Sequence, residues 1–268
     1  MSKIDQVANA LGLSERQLFY IINNIDDYYY DIHQPKMKYG EYQKHNNKII
    51  LRHLCPSMYP LKGIQKRINN LLQQITLPDY VFGAIRGSNN ILNAREHINN
   101  NYFFSVDLKN FFTNISHHQV YYMFRNNQFS HDAARILTQL TTYRGSLPQG
   151  SPASPIIANL VFAQTGQMLT ELIKGYSITF TSFLDDLVFS SKHDFKSMTP
   201  TIIEIIKSGG FYLNHKKITY KTHFPEVTGI LIHENKLWPI KSMLLRAKQN
   251  HRVERYLRQF MNSKGEIR

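Results

Sequence analysis

An α+β fold is what this sequence predicts. Apolar runs rich in Phe, Val and Ile, "NYFFSVDLKNFF" and "SITFTSFLDDLVFSS", have the length and the aromatic or β-branched content of strands, and the second reads as a pair. Stretches with apolar residues at helical spacing lie around and between them. No internal repeat, low-complexity tract or flexible linker divides the 268 residues, so one interlocked body is expected rather than separate modules.

In chain order, Val7, Leu11, Leu18 and Ile22 recur at helical spacing in "SKIDQVANALGLSERQLFYIINN", and "GLS" supplies a break with a Ser N-cap, so two short helices are expected. A pair of this kind can bind DNA, although most such pairs are packing elements. To about residue 56 the chain is rich in Tyr, Lys, Asn and His, and "NNKIILRHL" reads as a short strand. In "PLKGIQKRINNLLQQI", Leu61, Ile64, Ile68, Leu71 and Leu72 give a helix with one core face and one basic face. "NYFFSVDLKNFF" is a strand ending in a polar turn, and "SPASPIIANLVFAQTGQMLTELI" a helix opened by proline. After the paired strands, "TIIEIIKSGGFYLNHKKITY" gives a helix stopped by Gly209 and Gly210, then a strand. From Lys236 to Arg268 nine Lys or Arg stand against Glu254 and Glu266, with Leu244, Leu245, Tyr256, Leu257 and Phe260 interleaved. Such a helix either packs one face on the body and lays the other along phosphates, or is simply a solvated terminal helix.

Charge points to a partner class. The chain holds 32 Lys plus Arg against 19 Asp plus Glu, a net +13 that suits a polyanion, although an ordinary basic globular protein has the same balance. Cys55 is the single cysteine, which leaves no intramolecular disulfide, rules out a Cys-based zinc site and fits a reducing cytoplasm. Charges through "MSKIDQVANALGLSERQ" break the apolar stretch a signal peptide needs, and no other segment reads as long enough to span a bilayer. A soluble cytoplasmic protein with no membrane partner is the expectation.

Asp185 and Asp186 interrupt an apolar run. Neighbouring side chains of a strand point to opposite faces, so both serve one site only where the strand turns, and Leu-Asp-Asp-Leu between apolar runs fits a tight hairpin. A solvated turn is the ordinary explanation of such a pair. Asp107 changes the balance, because it ends another apolar strand, just before Phe111 and Phe112, and two strand ends carrying Asp can meet. Three close carboxylates repel one another unless cations neutralise them, and Mg²⁺ suits an oxygen-rich site. Two such ions, roughly 4 Å apart, activate an attacking hydroxyl and stabilise a leaving pyrophosphate, which is polymerase chemistry.

These segments resemble the reverse transcriptases. "FLDD" is similar to their Tyr-x-Asp-Asp signature, "VDLKNFFTNI" to the first catalytic motif, "LPQGSPASPIIANL" to the nucleotide-contacting Pro-Gln-Gly segment with its helix, and "GFYLNHKK" to the Gly, Asn, Lys motif after the hairpin. Order and spacing match over roughly residues 48 to 240. "NAREH", "VTGILI" and "LKGIQKRI" resemble the Asn-Ala-x-x-His motif, the Val-Thr-Gly motif and the fingers helix of bacterial retron reverse transcriptases. The resemblance implies a right-hand polymerase fold: N-terminal helices and fingers over 1–100, an antiparallel-sheet palm carrying the Asp cluster over 101–235 with a finger insertion near 117–145, and a short basic helical thumb over 236–268. It also implies an enzyme that copies part of a structured noncoding RNA into DNA left joined to that RNA, primed from the 2′-hydroxyl of a guanosine. Antiphage defence with a separate effector protein belongs to the same expectation.

By the match, Asp107 and Asp185 are expected to ligate two Mg²⁺ ions, Mn²⁺ being possible, with the Leu108 carbonyl, and Asp186 to support the cluster. Phe112 lies beneath the incoming sugar and favours dNTPs over rNTPs, with plain core packing as its rival. Gln149 contacts the nucleotide, and Arg52 clamps the triphosphate in two-point geometry. Lys217 neutralises or protonates pyrophosphate, with Lys216 a near-equal candidate. Asn93 and His97, four residues apart on one helix face, either touch RNA or form a satisfied hydrogen-bonded pair locking fingers to palm, and physics alone favours the second. Thr228, Gly229, Arg246, Lys248, Arg252 and Arg255 complete the expected nucleic-acid contacts. Two features depart from the pattern: Phe183 and Leu184 replace the usual Tyr and small residue, and the expected thumb is short. The competing readings are a protein-primed or untemplated defence polymerase of the same fold, an RNA-binding scaffold without chemistry, and a DNA-binding regulator built on the N-terminal helices.

Overall fold

The computed structural model describes residues 3–38, 41–223, 225–248 and 250–262. In chain order the elements begin with α1 (Lys3–Ala10), α2 (Glu15–Asn23), β1 (Ile32–Pro35), β2 (Met37–Lys38), β3 (Glu41–Tyr42), β4 (Lys44–His45), β5 (Lys48–Ile49) and β6 (Leu51–Leu54). There follow α3 (Leu61–Leu72), α4 (Asn90–Arg95), β7 (Tyr102–Asp107), α5 (His117–Asn126), α6 (His131–Thr141) and α7 (Ser154–Ile173). The remainder comprises β8 (Ile178–Phe183), β9 (Asp186–Ser191), α8 (Thr199–Ser208), β10 (Thr219–Lys221), β11 (Glu226–Val227), β12 (Ile230–His233), β13 (Lys236–Pro239), α9 (Lys241–Ala247) and α10 (His251–Asn262).

Two compact units are woven from this chain. The first takes Met1–Gln34, Arg52–Pro78 and Lys109–Gly166, and α6 lies at its centre against α1, α2, α3 and α5. α2 starts where expected: the Ser14 hydroxyl accepts from the Gln17 amide, and the Gln17 side chain accepts from the Ser14 amide. α3 buries Leu61, Ile64, Ile68 and Leu72, but Leu71 is exposed and Gln65 takes a core place instead. Gln65 is tolerated there because its amide is fully used. Its nitrogen donates to the Tyr29 hydroxyl at 2.7 Å and the Leu140 carbonyl at 2.9 Å, and its oxygen accepts from Ser57 at 2.6 Å and Ser151 at 2.8 Å.

The second unit takes Pro35–Leu51, Asp79–Leu108 and Gln167–Arg268. Its main sheet has the order β10-β7-β9-β8, every neighbour antiparallel. A smaller sheet, β11-β12-β13, joins α4 around Ile91, Ala94, Val227, Ile230, Ile232 and Leu237. Tyr256 of α10 packs on this cluster and donates to the Asn90 side chain at 2.8 Å. The excursion between β1 and β6 contributes two short hairpins, β2–β3 and β4–β5. Gly209 and Gly210 end α8, the latter at φ 83°.

α7 corrects one expectation. By length and composition this 20-residue helix can cross a membrane, although 56% of its apolar window is buried inside the protein, as in a core helix. Lys264, Arg268 and the side chain of Arg252, all counted among the basic residues of the C-terminal stretch, lie outside the described residues.

Candidate active site

Every carboxylate of the expected cluster lies in the second unit, at one end of its main sheet. β8 and β9 are joined by Leu184 and Asp185 alone, with Phe183 and Asp186 as the closing pair. Leu184 sits at φ 56° while Asp185 does not share the left-handed region, the pattern of a type II′ turn, whose twist matches that of the strands it joins. Glycine is the usual residue there. A branched side chain at that φ is strained by roughly 1 kcal/mol or more, and such strain concentrates at functional sites.

The seat of this turn is a close backbone approach. Phe82 donates from its amide to the Ser182 carbonyl at 2.8 Å, and Ser182 returns a bond to the Tyr80 carbonyl at 2.7 Å. The Tyr80 ring stacks on Phe180, centroids 4.9 Å apart. Segment 80–83 therefore runs beside the end of β8, and a Cβ on Gly83 would stand 2.6 Å from the Leu184 amide nitrogen. Only glycine fits that position.

Asp107 and Asp186 are direct partners in the β7–β9 register, so their side chains leave the same face of the sheet. The Leu108 amide donates to the Asp185 carbonyl at 2.8 Å, which ties the end of β7 to the turn. Like charges directly opposite one another cost stability, and here the cost is offset by cationic and amide partners. The Lys217 ammonium pairs with one oxygen of the nearly buried Asp107, and the Asn214 side chain donates to the other at 3.1 Å. Asn214 also donates its amide to the Asp107 carbonyl at 2.9 Å. Of the two candidate lysines, Lys217 is the one that geometry brings to the cluster. Asn214, not singled out from sequence, was signalled by its place in "GFYLNHKK".

This donor set is all oxygen, the set hard divalent cations take, and the Asp107 carboxylate already draws a cation in the form of the Lys217 ammonium. Asp107, Asp185, Asp186 and the Leu108 carbonyl fit Mg²⁺ in that chemical sense.

Asn93 and His97, expected on nucleic acid, are both fully buried, which leaves them no surface for such a contact. His97 lies 2.6 Å by Nδ1 from the Ser190 hydroxyl and 2.7 Å by Nε2 from the Thr181 hydroxyl, one residue on each strand of the Asp-bearing hairpin. Burial holds the imidazole down to about 3 and therefore neutral. Asn93 donates to the Thr228 hydroxyl at 3.3 Å, and Asn90 donates to the Thr228 carbonyl at 3.1 Å. The two side chains thus bond to separate parts of the second unit and not to each other, and the Asn93 Oδ1 is buried without a partner, so they do not form the satisfied pair expected as the alternative. Thr228 and Gly229 form the two-residue turn between β11 and β12, with φ of 47° and 82°, the two positive values of a type I′ hairpin.

Of the expected nucleotide contacts, Lys217 lies in the second unit, while Arg52, Phe112 and Gln149 belong to the first. Arg52 is exposed on β6. Phe112 is half-buried, while Phe111 takes the core position and meets the Phe162 ring edge-on. Gln149 is half-buried, its carbonyl accepts from the Cys55 amide at 2.8 Å, and Gly150 at φ 117° passes close to Pro56. Arg246, Lys248 and Arg255 are exposed on or beside α9 and α10.

The family described as reverse transcriptase (RNA-dependent DNA polymerase) matches residues 43–254. The chain is 29% identical over 264 residues to the retron Se72 reverse transcriptase of Salmonella heidelberg (strain 579083-10), covering 96% of this chain and 67% of that protein. It is 27% identical over 198 residues to the retron Ec86 reverse transcriptase of Escherichia coli, covering 71% of this chain and 62% of that one. The chain thus spans about two thirds of the length of these relatives. Among solved structures, telomerase from Candida albicans in complex with a fragment of telomeric RNA shares the fold, with a TM-score of 0.53 at 9% identity over 87% of this chain and 54% of that one. The reverse transcriptase family, RNA-directed DNA polymerases that generally use divalent metal ions, is the family to which this chain belongs, and its kin there are the bacterial retron enzymes.

Proposed function

We propose that the chain is a retron-type reverse transcriptase that copies part of a partner noncoding RNA into single-stranded DNA left joined to that RNA, within a cytoplasmic antiphage defence system that includes a separate effector protein. The observation that carries this reading is the meeting of Asp107 with the Asp185–Asp186 turn at one sheet end, in a chain whose relatives are retron enzymes. In right-hand terms, the β10-β7-β9-β8 sheet is the palm, the helices around α3 and α6 belong to the fingers, and α9–α10 are a short basic thumb.

Asp107 and Asp185, with Asp186 beside them and the Leu108 carbonyl, would hold two Mg²⁺ ions. Bound there, Mg²⁺ supplies Lewis-acid activation of the primer hydroxyl and charge neutralisation at the departing pyrophosphate. Lys217, held on Asp107 in the resting chain, stands ready to give a proton or a positive charge to that pyrophosphate. Asn214 and the Leu108 amide keep the carboxylates in place. Arg52 and Gln149 bind the dNTP, and Phe112 presents a flat ring to its sugar, which leaves no room for a 2′-hydroxyl. The basic face of α9 and α10 follows phosphates without reading bases.

Expression of the chain with its native flanking DNA, followed by sequencing of single-stranded DNA before and after ribonuclease and debranching treatment, tests the reading. A discrete DNA joined to RNA through a bond that only debranching cleaves, absent in an Asp185→Ala, Asp186→Ala double variant, is expected. DNA attached to protein, or DNA without an RNA template, would assign the chain to a protein-primed or untemplated polymerase. RNA bound to the purified chain with no DNA at all would leave a scaffold.

A further inference from the structure

We infer that Asp31, His53 and Cys55 form a transition-metal site, with Zn²⁺ as its occupant, that clips the segment ending in Asp31 to the stretch 52–55 of the first unit, which carries Arg52. The three side chains offer ligand atoms that all lie within 4.8 Å of one another. His53 Nε2 is 2.7 Å from Asp31 Oδ1, and Cys55 Sγ is 3.2 Å from that same oxygen and 3.7 Å from Nε2. Around a tetrahedral zinc ion, with bonds of roughly 2.0 Å to N or O and 2.3 Å to S, such atoms stand about 3.3–3.6 Å apart. Both edges that involve sulfur are within a few tenths of an ångström of this geometry. The Asp31–His53 edge needs to open by roughly 0.6 Å.

The surroundings favour a ligand set over an ordinary hydrogen-bonded trio. Asp31 turns its second oxygen to the Arg144 guanidinium at 3.5 Å, so the carboxylate is oriented by that oxygen and presents the other to His53 and Cys55. The His33 ring stacks on His53 with centroids 5.0 Å apart and fixes the plane of the imidazole. One thiolate, one imidazole and one carboxylate with an open fourth position suit Zn²⁺ and not Mg²⁺, which sets this site apart from the all-oxygen cluster of the second unit. A redox role for Cys55 finds no second thiol in the chain to resolve it. This departs from the expectation that a single cysteine rules out a Cys-based zinc site: that argument holds only for sites built on several cysteines, whereas this one needs a single thiolate beside His53 and Asp31. Cys55 donates its amide to the Gln149 carbonyl, and His53 follows Arg52 on β6, so an ion here stiffens the expected nucleotide-contacting segments.

The test uses the purified full chain, stripped with chelator and titrated with Co²⁺ and then Zn²⁺. Because Cys55 is the only cysteine, a thiolate-to-cobalt charge-transfer band reports this site alone. We expect the band to saturate at about one equivalent of Co²⁺, to vanish on adding Zn²⁺, to weaken at least tenfold in affinity in His53→Ala and in Asp31→Asn, and to persist in the Asp185→Ala, Asp186→Ala variant. Zn²⁺ should raise the thermal midpoint of the wild type and not that of Cys55→Ser, with circular dichroism confirming that each variant is folded. No band in the wild type, or a band that His53→Ala and Asp31→Asn both leave unchanged, overturns the site. None of these readouts depends on DNA synthesis.

Discussion

His97 carries its cost of burial in its protonation state. Its folded pKa is depressed to about 3, below the ordinary histidine value of 6.5, so between those values the unfolded chain binds a proton that the folded chain does not. Its contribution is complete above pH 6.5 and is lost as pH falls toward 3. About 2 kcal/mol should go between pH 7 and pH 5 from this residue, and urea titrations should show a flatter pH dependence in His97→Gln than in the wild type. Phe112→Ala should raise rNTP over dNTP incorporation by about tenfold or more, read in single-nucleotide extension assays; an unchanged ratio would return Phe112 to a packing role. At this scale the sequence speaks through residue types and spacing. That suffices to bring Asp107, Asp185 and Asp186 into one hypothesis, but it does not separate Lys217 from Lys216, because a 3₁₀ turn over His215–Lys217 decides which ammonium reaches Asp107. Asn93 and His97 carry a polar signal that fits contact with RNA or burial, physics favouring the second, and both are buried.

A turn such as Leu184–Asp185 is held in place by what it rests on. Gly83→Ala places a methyl group 2.6 Å from a backbone nitrogen that cannot swing away, so the turn or segment 80–83 must shift. Primer extension should fall by about a hundredfold or more while the far-ultraviolet circular dichroism spectrum stays that of the wild type. Gln65→Ala, in α3, orphans the hydroxyls of Ser57 and Ser151 and the Leu140 carbonyl, and should cost about 3 kcal/mol, seen as a thermal midpoint several degrees lower. Helix starts and strand runs were legible because capping and periodicity are local: Ser14 opens α2, Gly209 and Gly210 close α8, and β8 and β9 fall within the paired apolar run. Gly83 and Gln65 were not. Apolar periodicity counts Leu71 as core and passes over Gln65, since it cannot register hydrogen-bond partners contributed by distant segments.

The charge of the whole molecule sets how it meets a polyanion. With a net +13, RNA affinity should fall steeply and linearly with log salt concentration, and Arg246→Ala and Arg255→Ala should each lower the slope by about one without changing sequence preference, as filter binding across a salt series would show. A slope unmoved by either change would leave α9 and α10 as solvated helices. Alternation of strand and helix identified the α+β class from sequence, whereas the division into two interwoven units did not emerge, because it depends on contacts between residues far apart in the chain. That weave fixes an order of events at the ribosome. All residues of the first unit are on hand once Gly166 has emerged, whereas Asp107 waits, its strand unpaired, for β9 and β10 to be translated. The half carrying Arg52, Phe112 and Gln149 can therefore fold first, and the half carrying the Asp cluster is completed only near the end of synthesis.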